Sequence, residues 1–396
     1  MADQSLMKDI VEYADEILRE DPGNEEAILI KVDAYEGMGR EEEALDQLQD
    51  LLDARPDNEQ ALLKRSYLLG STGRFEQAIE PLQKVLDRKG DDKDLLLRKS
   101  ILHWLSNDNK GSREVLNHLL NNYPEYKEAY NLKNTLFGHL GGSKIGLNTI
   151  DRVLEIGPNS VKAMFTKAQF LKAMGKDEEA IPLLDAILER DPGDVEALKA
   201  KAISLNNLGC YDEALGTLDR ILEIEEGDEW AMVERANNLW LLDRNQDALV
   251  AINDLLEFTP ENADALILKG FILRCNGRYR DALSLLDRAL EKSPYEAEIL
   301  LTKADALRAM GRDKEALDSI EEVLKENQGG TRALLLKSDA LMALGRHEEA
   351  LDILDKVLKR DPSNELALLI KAEGLRTMGR KEELLKTLRR VVDLNS

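Results

Sequence analysis

"LRAMGRDKEALDSIEEVL", residues 307–324, decides the fold. Leu300, Ala304 and Leu307 precede the middle of this stretch, and Ala316, Ile320, Val323 and Leu324 follow it. Both sets keep the spacing of one buried helical face. Between them stands Gly311, which can take the left-handed backbone that ends a helix. The stretch therefore predicts a helix, a tight turn and a second helix.

The pattern recurs along the chain. Eight of the ten prolines (Pro22, Pro56, Pro124, Pro158, Pro192, Pro260, Pro294 and Pro362) are separated by multiples of 34 residues. The three remaining lattice points are Gly90, Glu226 and Gln328; the first is Gly, and the others precede Gly227 and Gly329, so turn chemistry is kept. With proline in slot 32 of each unit, eleven units follow without insertion from residue 25 to residue 396. Slot 15 is Gly in nine units and Asn107 or Asp243 in the other two. Slot 20 is Ala in eight, small enough for two helices to approach closely. Slots 24 and 28 are Leu, Ile or Val throughout.

Each unit is expected to form helix A over slots 2–14 and helix B over slots 18–31. One such hairpin cannot bury its own apolar faces, so the hairpins must stack into a solenoid. The period, with small slot 8, Ala at slot 20 and Pro at slot 32, resembles the tetratricopeptide repeat, and residues 307–324 resemble its prokaryotic variety. That resemblance implies an all-α, right-handed superhelical α-solenoid of stacked helical hairpins. The expected organisation is an N-terminal capping helix in residues 1–24, then units at 25–58, 59–92, 93–126, 127–160, 161–194, 195–228, 229–262, 263–296, 297–330, 331–364 and 365–396. In the leading segment Leu6, Ile10, Tyr13, Ala14, Ile17 and Leu18 form one apolar stripe, like a helix B without its helix A. Two departures from the family pattern stand out. Aromatics are mostly replaced by Leu, Ile or Met at slots 4, 11 and 24, and slot 7 is Lys or Arg in all eleven units.

One stretch invites a different reading. "FGHLGGSKIG", residues 137–146, has the glycines, serine and lysine of a phosphate-binding loop. Such a loop needs G-x-x-x-x-G-K-S/T between a strand and a helix. Here Ser143 precedes Lys144, no strand is in sight, and Gly141 and Gly146 fall in slots 15 and 20 of the fourth unit. The stretch reads as a worn repeat, and units three and four together as the expected flexible point of the array.

Composition narrows the function. The chain of 396 residues is 43% apolar, 33% charged and 5% aromatic, with a net charge of −23. Such acidity repels phosphate backbones and speaks against a helical-repeat RNA binder. Cys210 and Cys275 cannot build a disulfide framework, the acidic N-terminus lacks the pattern of a signal peptide, and no apolar run is long enough to span a bilayer. The expectation is a soluble cytoplasmic protein that contacts neither membrane nor nucleic acid and is a monomer in isolation.

No catalytic or metal-binding constellation emerges, and no cofactor is expected. His103, His118, His139 and His347 never share a helix at the i, i+4 spacing of metal ligands. Acid pairs such as Glu348–Glu349 fall at the start of helix B, where they complement the helix dipole. What remains is binding. In the family this chain resembles, ligand contacts come from slots 2, 5, 9, 12 and 13 of helix A on a concave face. All three tryptophans fall in those slots (Trp104, Trp230 and Trp240), as do Tyr67, Phe165, Phe271, Asn131, Gln169, Asn206, Asn207 and Asn237. Aromatics here either fill space between neighbouring A helices or line a groove. The tryptophans and amides together point to a groove centred on units three to eight, with Trp104, Phe165, Asn206, Asn207, Trp230, Asn237, Trp240 and Phe271 as its candidate residues and the seventh unit as its hot spot. The expected protein is a non-catalytic scaffold that binds a peptide or helix of a partner, the alternative being a regulatory subunit of an enzyme on another chain. The family's carboxylate clamp is not kept: Lys199 is the only Lys in slot 5, and slot 9 of its unit is Ile203. Slot 12 holds Arg308 and Arg376, which are expected to pair with Asp305 and Glu373 three residues earlier.

The basic slot 7 needs acceptors, and slot 25 of the preceding unit offers an acid or amide every time. The pairing predicts inter-unit contacts from Asp15 to Lys31, Asp151 to Lys167, Asp185 to Lys201, Asp219 to Arg235, Asp287 to Lys303, Glu321 to Lys337 and Asp355 to Lys371.

Overall fold

The computed structural model describes residues 4–138, 144–292, 297–325 and 330–394. His139, Gly141, Gly142 and Ser143 of the glycine-rich stretch, with Pro294, Gln328 and Gly329 of the turns, lie outside the described residues.

Among the described residues the sequence folds entirely into helices and turns. Where the slot-15 residue is described, its φ is positive, from Gly39 at 69° to Gly379 at 73°, and Asn107 and Asp243 follow at 66° and 59°. That backbone ends each helix A. The next helix A begins on a side-chain cap: Asn24, Asn58, Asp92, Ser160, Asp194, Asp228, Asn262 and Asn364 each accept a hydrogen bond from the backbone N–H three residues on. Many B helices begin on a different device. A basic residue in slot 16 reaches an acid in slot 19, as in Arg40–Glu43 at 2.6 Å, Arg244–Asp247 at 2.8 Å and Arg346–Glu349 at 2.7 Å. Its hydrogen bond holds Glu43, Glu315, Glu349 and their Arg partners in the charged form, the acids below the usual carboxylate range.

The chain divides into two units, Met1–Cys210 and Tyr211–Ser396. The first holds α1 (Gln4–Glu20), α2 (Glu25–Gly37), α3 (Glu41–Ala54), α4 (Glu59–Ser71), α5 (Phe75–Lys89), α6 (Lys93–Leu105), α7 (Asn109–Asn122), α8 (Lys127–Phe137), α9 (Lys144–Ile156), α10 (Val161–Ala173), α11 (Asp177–Leu188) and α12 (Val195–Asn207). The second holds α13 (Tyr211–Ile224), α14 (Glu229–Leu241), α15 (Asn245–Phe258), α16 (Ala263–Cys275), α17 (Tyr279–Lys292), α18 (Ala297–Ala309), α19 (Asp313–Lys325), α20 (Gly330–Ala343), α21 (His347–Arg360), α22 (Glu365–Thr377) and α23 (Lys381–Leu394). Within each unit consecutive helices pack as hairpins, and the hairpins stack as a repeat solenoid. Slot 20 is fully buried in Ala44, Ala78, Ala180, Ala248 and Ala316, and slot 24 in Leu48, Leu82, Leu184, Ile252 and Leu286. The leading helix packs on α2 through Ala14, Ile10 and Leu18, but Leu6, Tyr13 and Ile17 stay exposed. Its expected single stripe is thus half covered.

All seven expected rungs between units form. Lys31–Asp15, Lys167–Asp151, Arg235–Asp219 and Lys303–Asp287 stand at 2.7 Å, Lys201–Asp185 at 2.6 Å and Lys337–Glu321 at 3.1 Å, and Lys371 pairs with Asp355. Where slot 25 is an amide the bond persists from Arg65 to Gln49, Lys99 to Gln83 and Lys133 to Asn117. The expected pairing of Arg376 with Glu373 forms at 2.6 Å, but that of Arg308 with Asp305 does not. Arg308 reaches Asp339 of the next hairpin, and Asp305 meets Arg332 at 3.5 Å, because helices α18 and α20 lie side by side.

Units three and four depart from the regular pattern. Helix α8 has 11 residues where its counterparts α6 and α10 have 13. Helix α9 keeps its contacts with α8 and α10 and also touches α4 and α6. A Cβ on Gly70 would lie 3.3 Å from the Ile156 carbonyl oxygen, and a Cβ on Gly157 would lie 2.8 Å from Phe75 Cε1 and 3.0 Å from Leu105 Cδ1. The turn after α9 therefore sits against the A-helix face of the second and third hairpins. Arg98 is stacked at 3.6 Å over Tyr67 on that face, and burial pulls its guanidinium down to about 10.

Candidate functional site

The eight candidate residues separate into two groups. Trp104, Phe165, Asn206 and Asn207 belong to the first unit. Trp104 is a correction to the sequence reading: it is 5% exposed and packs in a core cluster with Leu97, Leu105 and Leu116. Lys162 closes over it, its Nζ 4.2 Å from the ring centroid and 2.7 Å from the Trp104 carbonyl oxygen. That lysine comes from α10, so the indole is covered and fills space in the core. Burial holds the Lys162 ammonium below the ordinary lysine range. Phe165 is half-buried, and the exposed Asn207 donates to Asp177 Oδ2 at 3.2 Å.

The second unit brings the other four together. Helix α14 carries Trp230, Asn237 and Trp240, and α16 carries Phe271; the two helices lie side by side. Trp230, Asn237 and Phe271 line one pocket of about 880 Å³. Its position follows from the hairpin geometry: slots 2, 5 and 9 of an A helix share a face, and α14, α16 and α18 present that face in succession. Trp240 stands behind the pocket, edge-on to Phe271 with centroids 5.0 Å apart and packed against the core cluster that contains Leu239. Trp240 is thus a supporting residue rather than a lining one. Arg274 lies 4.7 Å from the centroid of Phe271.

The remaining walls were not picked out from the sequence. Glu229, Glu234, Asp264 and Glu298 line the pocket with Ile267 and Val233. Asp264 and Glu298 occupy slot 2 and Ile267 slot 5, the slots already associated with ligand contact, so the signal was present but carried by residues that are common on any helix surface. Asn262 donates to Glu229 and Arg332 pairs with Glu298, which fixes both carboxylates.

Among the described residues no three His, Cys, Asp or Glu side chains gather as metal ligands. His103 and His118 each meet a single aspartate at 2.8 Å, Asp108 and Asp91 respectively. No described helix is long and apolar enough to cross a membrane.

Comparison with known proteins gives a consistent outcome. A family model of the tetratricopeptide repeat matches residues 7–66, 147–202, 275–338 and 314–374, more than half of the chain, and a second model of the same repeat matches residues 233–297. Similar solved structures include yeast Tom70, with 17% identity and a TM-score of 0.48 over 98% of this chain and 89% of that one. A tetratricopeptide repeat protein from Parabacteroides merdae has 16% identity and a TM-score of 0.49 over 72% of this chain and 98% of its own. PilW, a type IV pilus biogenesis factor, has 18% identity and a TM-score of 0.48 over 53% of this chain and 97% of its own. No curated protein matches the chain.

Proposed function

The chain belongs to the tetratricopeptide repeat family, and from that premise we propose that it is a non-catalytic scaffold that holds a segment of a partner protein against its A helices. The eleven-unit division and the capping role of α1 belong to the same proposal. The observation that carries the reading is the convergence of Trp230, Asn237 and Phe271, from two neighbouring helices, on one open pocket. Half-buried aromatics beside an amide offer a large contact area at small cost in side-chain entropy, which is what an anchoring site uses. The amide of Asn237 suits the main chain of an extended or helical peptide, since it can donate and accept at once.

The test separates binding from stability. Trp230→Ala is expected to abolish capture of the partner while changing the melting temperature little, because the indole lines the pocket. Trp240→Ala is expected to lower stability by about 2–3 kcal/mol, since it removes an aromatic packed on Phe271 and on the core beneath. Pull-down from native lysate with a photo-crosslinker at Ile267, combined with thermal melts, reads both. Partner capture that survives Trp230→Ala would remove the pocket from the function.

A further inference from the structure

The pocket is acidic as well as aromatic. Of its lining residues Glu229, Glu234, Asp264 and Glu298 carry carboxylates, and none is Lys, Arg or His. Arg332 pairs with Glu298, and Asn262 donates to Glu229. Resting on the reading that this pocket anchors a partner, we propose that its occupant is a basic segment: a Lys or Arg side chain whose aliphatic stem lies along Trp230 and Ile267 and whose charged end sits among Glu229, Glu234 and Asp264.

Three physical considerations select that chemistry. An occupant that fills the pocket strips water from carboxylates at its walls, and a carboxylate taken out of water is costly unless a cation replaces that water. A neutral peptide leaves that cost standing and an acidic one adds repulsion to it; a cation removes it. An indole face is also the preferred aromatic surface for a cation, and Arg274 over Phe271 shows a guanidinium already adopting that arrangement on the neighbouring ring. Finally, the chain carries a net charge of −23, so a basic partner is drawn in and an acidic one held off before contact. The long stems of Lys and Arg fit a site with an apolar floor and a charged rim, because each side chain has the same two-part character.

The test is a selection from a library of short random peptides displayed on phage, panned against the full chain and counter-panned against Trp230→Ala. The expected result is a set of Trp230-dependent ligands enriched in Lys or Arg. Their affinity should fall by roughly tenfold in the double variant Glu234→Gln with Asp264→Asn, and should weaken as salt rises from about 0.05 to about 0.5 M. The control variant, Asp318→Asn with Glu322→Gln, removes two exposed acids of α19 outside the pocket lining and should leave binding unchanged. Trp230-dependent ligands without basic residues would overturn the cationic assignment and leave the pocket standing. Basic ligands that bind Trp230→Ala equally, or that weaken as much with the control variant, would show attraction to net charge alone and overturn the assignment. A selection that yields no Trp230-dependent ligand would overturn the pocket reading itself.

Discussion

At the scale of single residues, the chain solves one problem repeatedly. A Lys or Arg in slot 7 lies beside an apolar face, and its charge needs an acceptor close by. The preceding hairpin supplies one, so the contact that satisfies the cation also sets the register of two neighbours. Lys201 and Asp185 illustrate the magnitude: 2.6 Å apart, with side chains 22% and 46% exposed, they form a partly screened pair. A double-mutant cycle with Lys201→Met and Asp185→Asn should give a coupling of about 1 kcal/mol or less, shrinking as salt is added. A coupling indistinguishable from zero at low salt would reduce the rungs to decoration. No rung is seen between Lys269 and Asn253, and burial, together with the nearby Arg288 and Arg278, holds the Lys269 ammonium below the ordinary lysine range. The rungs were legible in the sequence because both partners recur at a fixed spacing. The acidic walls of the pocket were not, since Asp264 and Glu298 gain meaning only when three A helices set them around Trp230.

At the scale of elements, glycine marks where helices end and where they touch. Gly216 does neither: it lies inside α13, exposed, with open space where a Cβ would be. Gly216→Ala is therefore expected to raise stability by about 1 kcal/mol, read from chemical denaturation, because it removes only a helix-propensity defect. Gly157 is the opposite case. A side chain there would meet Phe75 and Leu105, so Gly157→Val should cost about 1–3 kcal/mol and loosen the turn from α4 and α6. Faster hydrogen exchange in residues 144–162, with the rest of the first unit unchanged, would confirm that this turn is held by those contacts; unchanged exchange would refute it. The helix order, turns and buried slots were readable because each depends on residues within one period. The position of α9 was not readable, because it depends on contacts between residues some 80 apart, such as Gly157 with Phe75. Trp104 was misread for the same reason: its slot is a lining slot, but Lys162 comes from a hairpin that the period does not place over it.

At the scale of the whole molecule, the packing of each hairpin on its neighbours governs stability. Each hairpin is buried by its neighbours, so a defect should spread only as far as nearest-neighbour coupling carries it. Leu286 provides a clean place to create one. It is fully buried in α17 and packs over Gly270 of α16, where a Cβ would meet its side chain at 3.0 Å. It belongs to a cluster with Leu266, Ala289 and Ile299, contributed by α16, α17 and α18. Leu286→Ala leaves a cavity worth about 2–5 kcal/mol. In a globular domain with one core that loss would lower the protection of every slowly exchanging amide alike, since those amides open only by global unfolding. Here the expected loss is confined to α16, α17 and α18, diminishing in α14 and α20, while amides of α2 through α7 keep their rates. Native-state hydrogen exchange, read helix by helix, decides between the two. A uniform acceleration from α2 to α22 would mean that the array folds as a single cooperative body, and the nearest-neighbour account of its stability would fail.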